Sequence, residues 1–133
     1  MAFAGNWTVY KSENVEKFML AAGAPADRAA NAEKAVTTLS CKKDGDFFIL
    51  TSTGPKGNTI EQKFKPGVPF TESFGPIGKE RQAIASIEGN KLVIKSADGS
   101  GVTETREVNG DEMVFSISKD GIGEVGRRYL KRS

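Results

Sequence analysis

From Asp44 onward, turn signals recur along this chain at a steady interval, and that rhythm limits its fold more than any other feature. They fall at Asp44-Gly45, Gly54-Pro55-Lys56-Gly57-Asn58, Pro66-Gly67, Gly75-Pro76-Ile77-Gly78, Gly89-Asn90, Asp98-Gly99-Ser100-Gly101, Asn109-Gly110 and Asp120-Gly121, about ten to thirteen residues apart. Gly, Asn and Asp accept the backbone angles that tight hairpins need, so the spacing predicts an up-and-down β-meander. Nine strands are expected from Val36 onward, and Asn6-Trp7-Thr8-Val9-Tyr10, entered through Gly5, adds an N-terminal one. Period-two alternation supports this: Leu92 and Ile94 oppose Val93 and Lys95, and Met113, Phe115 and Ile117 oppose Val114, Ser116 and Ser118.

Only one stretch departs from the rhythm. Val15, Phe18, Met19 and Ala22 form a helical stripe, with Ser12 as its expected N-cap and Gly23 as its stop. A second helix follows Pro25, its apolar face almost all alanine, so it should be held less firmly than the first. Ten short antiparallel strands bury their edges by closing, and a helix-turn-helix over about residues 12–35 would cap the open mouth. The fold expected is mainly β, a ten-stranded antiparallel up-and-down β-barrel, or β-clam, with a helical lid. A barrel of that size encloses water or a ligand, and 8 Phe with a single Trp suit an incompletely filled interior.

Composition narrows the function. A chain of 133 residues is expected to form one domain over 1–133, acting as a monomer. Its 19 basic residues interleave with 17 acidic ones, net +2, a weak basis for binding nucleic acid. Cys41 is the one cysteine, so no intramolecular disulfide is possible; no leader resembling a signal peptide precedes Phe3, and no run approaches a membrane span, so a cytoplasmic location is expected. The absence of His removes the commonest general base and metal ligand. Glu61, Glu72 and Glu104 are scattered over different strands at no spacing that demands chemistry, so neither catalysis nor a metal or cofactor is expected.

One stretch near the C-terminus carries a recognition signal. In Val125-Gly126-Arg127-Arg128-Tyr129, strand parity puts Arg127 and Tyr129 on one face and Arg128 on the other. Turned inward, an Arg beside a Tyr needs an anionic partner. Taken alone, the pair reads better as a solvent-facing couple, and Arg106 as a cross-strand charge partner.

Motifs along the whole chain resemble the intracellular lipid-binding proteins, the family of cytosolic fatty-acid-binding, bile-acid-binding and retinoid-binding proteins. They are Phe3-Ala4-Gly5-Asn6-Trp7-Thr8-Val9, Asn14-Val15-Glu16-Lys17-Phe18-Met19, Lys56-Gly57-Asn58-Thr59, Phe64-Lys65-Pro66-Gly67-Val68-Pro69-Phe70 and Gly89-Asn90-Lys91-Leu92-Val93. Arg127-Arg128-Tyr129 matches the family's Arg-x-Tyr anchor, and Arg106 its partner arginine. The resemblance implies non-catalytic binding and transport of a long-chain fatty acid or similar hydrophobic carboxylate. Its head group would be gripped by Arg106, Arg127 and Tyr129, with Val15, Phe18, Met19, Glu104, Phe115 and Ile117 as cavity or lid contacts. A bile-acid or retinoid carrier of the same family is the alternative.

This chain departs from the family pattern at Val15, where many members carry Phe, and at Lys56, near a portal Phe. Glu104 shares parity with Arg106, so it could pair with that arginine in the empty protein. Lys17, Arg28 and Lys34 read as a solvated lid face, or else as a transient contact with anionic membrane. From a different class, a single-stranded nucleic-acid-binding barrel would show aromatics interleaved with Lys and Arg on exposed strands, and only Phe47-Phe48 and the basic C-terminus offer fragments of that.

Overall fold

The computed structural model describes residues 2–54, 57, 59–72 and 80–133. Lys56, Pro55, Asn58 and the Gly75-Pro76-Ile77-Gly78 turn lie outside the described residues. The elements run β1 (Gly5–Glu13), α1 (Val15–Ala21), α2 (Ala26–Lys34), β2 (Thr38–Asp44), β3 (Phe47–Thr53), β4 (Thr59–Phe64), β5 (Phe70–Glu72), β6 (Arg81–Glu88), β7 (Lys91–Ser96), β8 (Val102–Asn109), β9 (Glu112–Lys119) and β10 (Gly126–Arg132).

All ten strands join one antiparallel sheet in the order β4-β3-β2-β1-β10-β9-β8-β7-β6-β5. Sequence neighbours are therefore sheet neighbours, and the pairing of β1 with β10 wraps the meander into a nearly closed barrel. Its two edges, β4 and β5, are spanned by side chains. Phe64, 1% exposed, stacks on Phe48 of β3 at 5.9 Å and on Phe70 of β5 at 5.2 Å. Trp7 plugs the far end, fully buried, its Nε1 donating to the Phe3 carbonyl at 3.0 Å and the Arg132 guanidinium lying 4.2 Å from its ring. Among the described residues, no helix is long and apolar enough to cross a membrane.

The two helices sit between β1 and β2, as the break in periodicity predicts. Their capping differs from expectation. Ser12 belongs to β1, and the residue before α1 is Asn14, at φ 61. Asn14 turns its amide away, donating to Glu124 Oε2 at 2.6 Å and the Val125 carbonyl at 3.2 Å. The orphan N–H groups of Val15 and Glu16 instead donate to Glu33 Oε1, reaching over from α2, at 3.1 and 3.4 Å. A carboxylate there also suits the positive end of the α1 dipole. α1 buries Val15, Phe18 and Met19, whereas α2 buries Ala29 alone. Since burial stabilises by about 25 cal/mol per Å² of apolar surface, α2 is the thinner wall of the lid.

Candidate functional site

Strand parity decides which side chains reach the interior. β9 turns Met113, Phe115 and Ile117 inward, and β10 pairs Gly126 with Ile117, Arg128 with Phe115 and Leu130 with Met113. On β10 the inward residues are therefore Gly126, Arg128 and Leu130. This reverses the expected orientation: Arg127 is exposed, Tyr129 is on the outer face, and Arg128 points in. The physical reason is Leu130, 3% exposed, because a one-residue slip would exchange its burial for that of a phenol that can remain half-wet. Outside the barrel, Tyr129 packs 6.4 Å from Tyr10 with Lys11 Nζ 5.3 Å from its ring centroid. A hydrogen bond to Glu13 raises the Tyr129 hydroxyl above the ordinary phenol pKa. Arg127 borders a surface depression with Glu13, Asn14 and Val125.

β8 pairs Arg106 with Phe115 from the other side. Phe115 is thus flanked in register by Arg106 and Arg128, on three adjacent strands. The Arg106 guanidinium lies 4.5 Å from the Phe115 ring centroid, a cation–π contact, and its Nε is buried with no hydrogen-bond partner among the described residues. Arg128 Nη2 donates to the Ala32 carbonyl of α2 at 3.0 Å, tying the cavity floor to the lid. Burial, and next the nearness of Arg106, pulls Arg128 below the ordinary arginine pKa, with Glu33 opposing; a guanidinium nonetheless stays charged.

Both arginines line an internal cavity of about 220 Å³. Its walls include Val15, Phe18 and Met19 from α1, Phe115 and Ile117 from β9, and Glu104 from β8. Each of these expected contact residues therefore faces the cavity, together with Arg106; Arg127 and Tyr129 do not. Ser52, Ile60 and Gln62 from β3 and β4, and Thr37 and Leu39, complete the far wall; sequence reasoning did not single them out.

A second charged group was illegible in the sequence. Glu104, 4% exposed, accepts a short hydrogen bond from Arg81 Nη2, and the same nitrogen makes an ion pair with the fully buried Glu72. Glu104 therefore pairs with Arg81 and not with its strand neighbour Arg106. Burial, and next the facing Glu72 carboxyl, pushes the Glu104 carboxyl up to about 8. Held up in this way, Glu104 keeps its proton toward neutral pH, and one nitrogen of Arg81 meets both carboxyls. Glu72 and Arg81 are cross-strand partners on β5 and β6, whereas Glu104 reaches Arg81 from β8, across β7, and no spacing rule links it to either. Among the described residues, no group of three or more His, Cys, Asp or Glu side chains is placed to hold a metal ion.

The arrangement offers two guanidiniums and an aromatic face to an anion inside an otherwise mostly apolar chamber. Comparisons with known proteins bear on the family and the fold. The chain is 29% identical over 133 residues to fatty acid-binding protein 2 of Manduca sexta, covering 98% of this chain and 99% of that one. It is 33% identical over 136 residues to the intestinal fatty acid-binding protein of Sus scrofa, covering 100% of both. The fold matches the crystal structure of a fatty acid-binding protein from Drosophila melanogaster brain with a TM-score of 0.85 at 25% identity, covering 97% of this chain and 98% of that one. A family model matches residues 1–132, and the chain belongs to the lipocalin / cytosolic fatty-acid binding protein family.

Proposed function

We propose that the protein binds and carries a long-chain fatty acid or a similar hydrophobic carboxylate, held by Arg106 and Arg128 on either side of Phe115. The observation that carries this reading is the register of β8, β9 and β10, which sets two cations beside one aromatic ring in a single cavity. Of the charged side chains lining the cavity, Arg106, Arg128 and Glu104, the carboxyl is engaged by Arg81, so two guanidiniums face the chamber. A carboxylate supplies the missing charge, and a planar guanidinium offers it paired donors. The hydrocarbon tail adds affinity at about 0.8 kcal/mol per buried methylene. At about 220 Å³ the cavity is smaller than the roughly 300–1,000 Å³ of typical small-molecule sites, so a long chain must displace part of the wall, and α2 is the weakest part. In this reading the protein is a monomeric cytoplasmic carrier that performs no chemistry.

The test is a titration of delipidated protein with a fluorescent fatty acid. Losing a hydrogen bond to a charged group costs about 1.5–3 kcal/mol, so Arg106→Gln and Arg128→Gln should each weaken binding roughly 10- to 100-fold. Arg127→Ala, on the outer face, should bind as wild type. An absence of saturable binding would end the carrier reading, and Arg127→Ala weakening binding as much as Arg128→Gln would end the assignment of the anchor.

A further inference from the structure

We propose that Glu104 couples ligand capture to proton uptake: its proton leaves Arg106 free for an incoming carboxylate, and losing that proton turns Glu104 into a competitor for the same cation. This deepens the carrier reading and rests on it. Glu104 acts through Arg106, as a positioning residue, and need not touch the ligand.

The geometry supplies the coupling. Glu104 and Arg106 stand two residues apart on the inward face of β8, and both line the cavity. Glu104 is already engaged by Arg81 of β6, which also holds Glu72 of β5. Its cross-strand neighbours on β7 and β9 are Ile94 and Ile117, both apolar, and Arg128 of β10 lies across Phe115 from Arg106. Among the described residues, the charged groups around Glu104 are therefore Glu72, Arg81, Arg106 and Arg128. With Glu104 protonated, Arg81 remains paired with Glu72 and Arg106 keeps a full positive charge. Removing that proton adds a negative charge near Arg106 on the same inward face of β8, at a carboxyl only 4% exposed and so weakly screened by solvent.

A ligand carboxylate between Arg106 and Arg128 brings a like charge close to Glu104 and strengthens its hold on the proton. By linkage, affinity then falls as the proton is lost. Burial pushes the Glu104 carboxyl up to about 8, whereas it pushes Cys41, the chain's one thiol, up to about 11. A loss of affinity between pH 7 and pH 9 would therefore report on Glu104.

The experiment measures the dissociation constant of a fluorescent long-chain fatty acid at pH 7 and pH 9 for wild type and Glu104→Gln. Gln is isosteric with the protonated acid and cannot titrate. Wild type should bind about tenfold more weakly at pH 9, the loss expected for one proton across that interval, and Glu104→Gln should change less than about twofold. Calorimetry of wild type alone, at pH 8 in buffers of different ionisation enthalpy, should show uptake of about half a proton per ligand. Equal losses in both proteins, a pH-independent wild type, or no proton uptake would overturn the coupling while leaving the carrier reading intact. Absence of saturable binding at pH 7 would overturn both.

Discussion

Gly126 shows how closely the lid rests on the barrel, and replacing it by alanine tests that packing directly. A Cβ at Gly126 would lie 3.2 Å from Ile117 Cγ2, 3.3 Å from Val15 Cα and 3.5 Å from Phe18 Cβ. The Ile117 methyl can yield by a small torsion, but Val15 Cα is main chain and moves only with α1. Accommodating one methyl in a packed site costs about 1–3 kcal/mol, while alanine recovers about 0.4–1 kcal/mol by restricting the unfolded chain. At the middle of those ranges the net expected loss is about 1–2 kcal/mol. At about 2.1 cal/mol/K of unfolding entropy per residue, each kcal/mol in a chain of 133 residues is worth about 4 °C, so Tm should fall by roughly 4–8 °C. Scanning calorimetry reads the fall, and hydrogen exchange should show faster opening of the α1 amides than of β6 or β7. An unchanged or raised Tm would mean that α1 does not bear on β10 at Gly126, and the lid geometry would have to be abandoned.

Three further expectations follow from the interior. Phe64→Ala removes the middle ring of the stack that bridges β4 and β5 and should cost about 3–5 kcal/mol in urea denaturation; a loss below 1 kcal/mol, a value of about one hydrogen bond, would refute the bridging role. Cys41, 3% exposed with its thiol pushed up to about 11 by burial, should resist a disulfide reagent at pH 8 in the native protein and react at once in denaturant, so fast native labelling would contradict its placement. Because the folded pKa of Glu104 lies above its unfolded value of 4.5, its contribution to stability is fully present below pH 4.5 and is lost as pH rises through about 8. Denaturation curves of wild type should show this decline, at up to about 1.4 kcal/mol per pH unit, and Glu104→Gln should remove it; parallel pH profiles would refute the burial cost.

Much of this fold was legible because turn chemistry and periodicity are local. Gly89 at φ 59 and Gly110 at φ 63 sit in the tight turns that their dipeptides announce. The helical stripe at Val15, Phe18 and Met19 is buried as a unit, and the thin alanine face of α2 buries one residue. The caps were not legible, since Glu33 reaches α1 from 17 and 18 positions away in sequence and answers to no spacing rule. The same holds for Glu104, which meets Arg81 from β8 across the intervening β7. Parity on β10 was recoverable and was missed. Comparing the two faces as sets, Arg127, Tyr129 and Lys131 hold two cations and an amphipathic ring, whereas Gly126, Arg128 and Leu130 hold the one aliphatic side chain. Burying the aliphatic set is the cheaper choice, and it carries Arg128 inside.

The positions where strand patterning breaks down are the ones that define the cavity. β8 alternates Val102, Glu104, Arg106 and Val108 on its inward face, so two apolar residues at the ends enclose two charged ones at the centre. A strand designed only to be buried would have carried Val or Ile at all four. Replacing buried ion pairs with hydrophobic residues is often neutral or stabilising, so Glu104 and Arg106 are poor choices for stability alone. β10 repeats the exception at Arg128, and the register places it opposite Arg106 across Phe115. Two charged breaks on strands separated by one, meeting at one ring, are hard to account for as packing. The proposed carboxylate ligand accounts for them, because two guanidiniums held partly away from water gain more from an anionic partner than from apolar neighbours.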